Sequence, residues 1–321
     1  MKSFNFFFYF FFPLALLVFL LFINTSFCSQ NTNTTIPFDN SQFVSVNGVN
    51  LHYRSWVNEE SPEQKPWIML IHGFAGSTYM WHKNIKSLND AGFNVVAVDV
   101  PPFGYSDKSL RINHSVDNRA ELLWQFASII NPRTQWILFG HSMGGGIVEA
   151  MALLQPQRVE RVVFVAPALF SHLQPERTIR QRIISFPPIE WILGGLGNVL
   201  LIRPKRIEKL LESAYGQKGT SEDVLAYYTP LKQMGMARAI ISAFSRSKPN
   251  QNLNIADFKN HALAIWGEDD TWVPFERIKP YTEAMDNLSI VIIKDTGHNP
   301  METDAELFNR IVLEYLLVEL H

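Results

Sequence analysis

The stretch Trp136-Ile137-Leu138-Phe139-Gly140-His141-Ser142-Met143-Gly144-Gly145 decides how the chain is read. Four apolar residues run into a sharp turn. Ser142 stands there with a glycine two positions before it and another two after it. A helical stretch, Gly145 to Leu154, follows. A serine flanked in this way between a strand and a helix is the nucleophile-elbow pattern. Side chains at the flanking positions would clash in so tight a turn. The turn also exposes the hydroxyl at a helix start, where the dipole favours developing negative charge.

Outward from this point, short apolar runs recur at Trp67 to Ile71, Asn94 to Val100 and Val162 to Ala166, each ending in a loop with Gly, Pro or Ser. Helical stretches such as Ala120 to Ile130 separate them. This alternation predicts a mostly parallel sheet covered by helices on both faces, an α/β fold. Phe43 to Trp56, with Asn47-Gly48 at its centre, reads as a hairpin. Ala262 to Trp266 and Ser289 to Ile293 resume the strand pattern, and Glu302 to Leu320 reads as a closing helix. Between the two halves, residues 171–258 lose the strand signal and read as a helical insertion. The insertion is basic, and the remainder of the globular part is acidic.

The 321 residues hold one cysteine and 24 phenylalanines, with a net charge of −2. One cysteine excludes an intramolecular disulfide and a cysteine-rich zinc site. The near-neutral balance gives no reason to expect a nucleic-acid partner. Ten of the phenylalanines lie before Cys28, most within the 18-residue apolar run Phe6 to Ile23 that follows Lys2. Residues 1–28 read as a signal peptide or a signal anchor, residues 29–42 as a flexible leader, and residues 43–320 as one catalytic domain. The expectation is an exported chain, secreted or anchored, with its catalytic domain on the extracytoplasmic side. Asn33, Asn113 and Asn287 begin Asn-X-Ser/Thr sequons that matter only in a secretory pathway that glycosylates.

A serine at such an elbow needs a base and an orienting acid, in the order Ser, acid, His. Of the later histidines, His172 lies in the insertion, His261 precedes its strand and His321 is terminal. His298, in Asp295-Thr296-Gly297-His298-Asn299-Pro300 after the last strand, is the candidate base. The acid belongs to the loop after the preceding strand, where Glu268, Asp269 and Asp270 compete. His72 and His141 read as loop-shaping residues.

In these motifs the chain resembles the α/β-hydrolase superfamily, in its serine-nucleophile, esterase- and lipase-like branch, from about Phe43 to Leu320. The resemblance implies an eight-stranded sheet and a helical lid over residues 171–258. The superfamily's acid loop, Gly-x-x-Asp-x-x-x-Pro, selects Asp270 between Gly267 and Pro274. The loop His72-Gly73-Phe74-Ala75-Gly76-Ser77 corresponds to the oxyanion loop, so the backbone N–H groups of Phe74 and Met143 would bind the tetrahedral intermediate. Asp99 to Ser106 resembles a further family turn, with Pro102 and Tyr105 where Gly is common. Epoxide hydrolases and haloalkane dehalogenases place Asp at the elbow, so Ser142 argues for acyl transfer to water, with no metal or organic cofactor.

The apolar stretch Ile183 to Ile202, flanked by Arg and Lys, reads either as a cap lining a pocket or as a surface that meets lipid. Both imply an apolar small-molecule or lipid ester. The alternatives are a carbon–carbon bond hydrolase, whose elbow usually has Asn where His141 stands, a cofactor-free peroxidase or an aminopeptidase. A non-catalytic binding protein of this fold would generally lack a triad member, and none is missing.

Overall fold

Trp67-Ile68-Met69-Leu70-Ile71 is wholly apolar and wholly buried, as a strand covered on both faces must be. This strand, β3, lies inside a sheet of eight. The others are β1 (Ser41–Val46), β2 (Val49–Trp56), β4 (Asn94–Val98), β5 (Trp136–His141), β6 (Val159–Val165), β7 (Ala262–Gly267) and β8 (Leu288–Ile293). In this computed structural model they are ordered β1-β2-β4-β3-β5-β6-β7-β8. The β1–β2 and β2–β4 pairs are antiparallel and all later pairs are parallel. The expected α/β architecture is therefore the observed one. The structure describes residues 37–58, 65–110, 112–169, 202–246 and 253–318, with a few helical positions between 189 and 197. Residues 1–36, which include Cys28, Asn33 and the apolar run, lie outside the described residues. So do most of the stretch 183–201 and residues 319–321.

Among the described residues, the helices with full ranges are, in chain order, α1 (Ile85–Asp90), α2 (Val116–Ile130), α3 (Met143–Leu154), α4 (Pro204–Tyr215), α5 (Ser221–Leu231), α6 (Met236–Arg246), α7 (Phe275–Thr282), α8 (Pro300–Thr303) and α9 (Ala305–Leu317). Thr220 and Asp223 form a reciprocal capping box that starts α5. Among the described residues between β6 and β7 there is no strand, only helix and turn, and none of the helices is long and apolar enough to cross a membrane.

Three boundaries differ from the expectation. Residues 41–42, assigned to the leader, belong to β1. Ser41 pairs with Arg54 and Gln42 with Tyr53, and side-chain bonds from His52 to Ser41 and from Gln42 to Ser55 extend the ladder. The hairpin therefore begins two residues early. The closing helix is two helices, broken at Asp304, whose extended φ of −132° leaves its carbonyl to accept from Phe308 N–H at the start of α9. Helix α2 begins at Val116, four residues before the expected start.

Helix α3 opens Met143-Gly144-Gly145-Gly146, a run that costs about 1 kcal/mol per glycine in helix propensity. Contact explains the cost at two positions. A Cβ on Gly144 would collide with the carbonyl of Ile71 at the end of β3, and one on Gly145 with Pro167. The helix thus packs backbone to backbone against the sheet. Of the sequons, Asn113 is half-buried with its side-chain oxygen accepting from Ser115 N–H, and Asn287 is exposed.

Gly144→Ala is expected to destabilise the chain by about 2–3 kcal/mol through overpacking against backbone. At roughly 2–4 °C per kcal/mol that lowers Tm by about 5–10 °C. An unchanged melting temperature would show that α3 does not approach β3 this closely.

Candidate active site

The order of strands reverses on either side of β3, and sites in open parallel sheets form where it does so, at the strands' carboxyl ends. The register pairs Ile71 with Gly140. The loop after β3 is thereby set beside the turn after β5. A Cβ on Gly73 would lie 2.6 Å from His141 Nδ1 and 3.1 Å from Ser142 Cβ, which measures how closely the two loops meet.

Ser142 joins β5 to α3 with φ 49° and ψ −116°, a conformation costing a non-glycine residue about 1–3 kcal/mol. Its backbone is held from three sides. The N–H donates to Val165 O at 3.0 Å, and the carbonyl accepts from Gly145 N–H and Ala168 N–H, each at 2.9 Å. A Cβ on Gly140 would collide with the backbone of Gly144, so the glycines two before and two after Ser142 touch each other. Met143 is the first residue of α3, and a first-turn N–H has no partner within its own helix. Phe74 lines the same cavity as Ser142.

On the other side, the register pairs Gly267 with Ile293, so the loops after β7 and β8 also adjoin. Asp270 is buried, whereas Glu268 and Asp269 are exposed. One oxygen of Asp270 accepts from Trp272 N–H at 2.8 Å and Val273 N–H at 2.9 Å, and the other lies 2.7 Å from His298 Nδ1. Nδ1 is therefore the protonated nitrogen, assigned from its carboxylate partner. His298 Nε2 is buried and has no hydrogen-bond partner among the described residues. It lines the cavity that Ser142 also lines. An imidazole whose basic nitrogen is left open beside a serine hydroxyl is arranged to take that hydroxyl's proton.

The ring of His298 is fixed by neighbours that the sequence reading did not name. Trp272 stacks on it, with centroids 5.5 Å apart and planes at 24°, and is itself held by a 3.0 Å bond from Nε1 to Ser213 on α4. His298 N–H donates to Ala214 O at 2.6 Å. Trp272 lies two residues after Asp270, which is the only sequence signal it carried.

His141 and His72 shape loops, as expected. His141 Nε2 is 3.0 Å from the His298 carbonyl, and burial, with the nearby His298, pushes its pKa well below the usual imidazole value. His72 Nδ1 lies 2.7 Å from Gly73 O, and its Nε2 accepts from Val100 N–H at 2.9 Å. Burial lowers its pKa too. Both rings are neutral ties between loops. Asp99, paired with His52 at 2.7 Å, accepts from Thr78 N–H just beyond the first loop and from Tyr105 N–H in its own.

The cavity over Ser142 has a volume of about 30 Å3. Its apolar wall comes from Phe74, Met80, Leu210, Leu211, Ala214 and Trp272, with His141, His298, Asn299 and Tyr227 as the polar groups beside Ser142. Helices α4 and α5 thus contribute directly to it.

Residues 66–188 match the family model for the α/β-hydrolase fold. The chain is 26% identical over 283 residues to the uncharacterized hydrolase YugF of Bacillus subtilis (strain 168), covering 85% of this chain and 96% of that protein. It is also 26% identical over 258 residues to a 2-hydroxy-6-oxononadienedioate/2-hydroxy-6-oxononatrienedioate hydrolase of Burkholderia vietnamiensis, covering 78% and 86%. Among solved structures, a serine hydrolase involved in carbazole degradation superposes with a TM-score of 0.68 at 21% identity, covering 86% of this chain and 98% of that one. A bacterial membrane phospholipase A superposes at 0.67 with 23% identity, covering 98% of each. These likenesses establish the fold.

The three neighbouring carboxylates separate by mutation. Asp270→Asn is expected to lower kcat by about 10^4-fold, because the amide favours the wrong imidazole tautomer. Glu268→Gln and Asp269→Asn, at exposed positions, should leave turnover within about twofold, since exposed pairs are worth little. Equal losses at all three positions would remove Asp270 from its special place.

Proposed function

We propose that the chain, which has the α/β-hydrolase fold, is a serine hydrolase of that superfamily cleaving carboxylic esters with apolar acyl groups. The observation that carries this reading is the open Nε2 of His298, with Nδ1 tied to Asp270, in the cavity where the elbow presents Ser142. Ser142 Oγ attacks the ester carbonyl as its proton passes to His298 Nε2. Asp270 holds the tautomer and stabilises the imidazolium. The tetrahedral oxyanion is bound by the N–H groups of Phe74 and Met143. One such donor is typically worth about 100-fold to 1000-fold in turnover. The intermediate collapses to an acyl-enzyme, His298 protonates the departing alkoxide, and water activated by His298 releases the acid. The apolar wall supports an apolar acyl or lipid-like group, and the chemistry needs no metal or cofactor.

Residues 202–246 serve as part of a cap over this site. The apolar run before Cys28 supports an exported chain, kept near a membrane if the run is retained.

A second reading is carbon–carbon bond hydrolysis of cleaved aromatic rings, favoured by the activity for which the Burkholderia relative is named. His141 argues against it, because here the ring ties the elbow to the His298 carbonyl where that branch usually has Asn.

The purified protein should hydrolyse p-nitrophenyl butyrate, and Ser142→Ala should lower kcat on the order of 10^4-fold to 10^6-fold. Full activity in the variant would refute the mechanism. Turnover of a 2-hydroxy-6-oxodienoate with no ester cleavage would transfer the assignment to the second reading.

A further inference from the structure

Behind the pocket wall lies a carboxylate that the mechanism does not use. Glu302, on α8 four residues after His298, is 2% exposed. Its Oε2 accepts from the Tyr227 hydroxyl of α5 at 2.7 Å and from Asn299 Nδ2 at 2.6 Å. The Tyr215 hydroxyl, at the end of α4, interacts with the same carboxylate. Both that hydroxyl and Glu302 Oε1 are buried, and neither has a hydrogen-bond partner among the described residues. One side chain on the histidine's own segment therefore receives the phenol of α5 and faces the phenol at the end of α4. Both Tyr227 and Asn299 line the catalytic cavity.

We propose that Glu302 is a positioning residue that latches α4 and α5 to the segment carrying His298, and so sets the wall of the acyl pocket. The proposal rests on the ester-hydrolase reading for its kinetic consequence and on geometry alone for its structural one. A second contact in the same place works alongside it. The Tyr79 hydroxyl donates to Asp223 Oδ1 at 3.2 Å, holding the start of α5 against the loop after β3. Lys83 Nζ donates to the Glu302 main-chain carbonyl at 2.7 Å, so its charge does not cap the carboxylate. The groups facing Glu302 are thus Tyr215 from α4, Tyr227 and Asp223 from α5, Tyr79 and Lys83 from the turn after β3, and Asn299 beside His298. His82 stacks on Tyr79 beyond them.

An acid this deeply buried resists ionisation. Burial, with Asp223 adding to it, raises its pKa from 4.5 to about 7 against the opposing influence of Asn299, Tyr227 and Tyr215. Because the folded value lies above the unfolded one, the folded chain holds this proton more tightly. The stability linked to it is full below pH 4.5 and is lost as pH rises through about 7. A glutamine keeps an acceptor for Tyr227 and Asn299 and does not titrate.

The test compares Glu302→Gln and Glu302→Leu with the wild type. The melting temperature of Glu302→Gln relative to wild type should climb between about pH 5 and pH 8. On p-nitrophenyl butyrate, Glu302→Leu should raise KM about tenfold and change kcat less than about threefold, with Glu302→Gln restoring most of the KM. A melting difference that stays constant with pH, or a loss confined to kcat, would overturn the latch. If Glu302→Leu fails to fold, the pH trend of Glu302→Gln decides alone. If the wild type cleaves no ester, that trend still reads the latch, and the failure belongs to the proposed function instead.

Discussion

The close approach of three backbone segments, the end of β3, the turn at Gly140 and the first turn of α3, is the constraint on which the rest of the structure depends. Gly140 and Gly144 touch, and Gly144 meets the carbonyl of Ile71. Without side chains at these positions the chain can turn within a few residues and hold Ser142 at a positive φ. The strain at Ser142 persists because three backbone hydrogen bonds fix its N–H and carbonyl. The glycines lower the intrinsic stability of α3, and the closeness they permit places the helix start beside the loop after β3.

Parallel register then brings the chemistry together. Adjacent strands end level, so loops that follow neighbouring strands meet. β3 with β5 gives one pair, and β7 with β8 the other. Ties between the pairs run through neutral, buried histidines and main-chain groups. His141 of the elbow binds the carbonyl of His298, and Trp272 of the acid loop stacks on its ring. Each tie fixes a direction for the imidazole and leaves Nε2 open. The inserted helices join the same arrangement through Ala214 and Tyr227.

Much of this was legible in the sequence because its signals are local. Fully buried parallel strands read as continuous apolar runs, and an elbow needs glycine at fixed offsets from its serine. Ser142 and His298 follow from strand, turn and loop order, whereas Phe74 is named only through the resemblance. Residue chemistry alone did not separate Asp270 from Glu268 and Asp269. The resemblance selected it, and burial with two backbone N–H donors distinguishes it in the structure. What escaped depends on distant partners. Glu302, Tyr215 and Tyr227 carry no motif, since their meaning arises only when α4 and α5 pack on the segment after β8. The early start of β1 was hidden for the same reason, because Ser41 reads as leader until His52 is placed opposite.

The central claim is that Ser142 is a nucleophile activated by His298. It is tested most directly by intact-mass analysis of the protein after exposure to a fluorophosphonate, followed by peptide mapping. The account predicts one adduct per chain, located on Ser142, and no adduct in a His298→Ala variant over the same period. An adduct on another residue, or equal labelling with His298 removed, would contradict it.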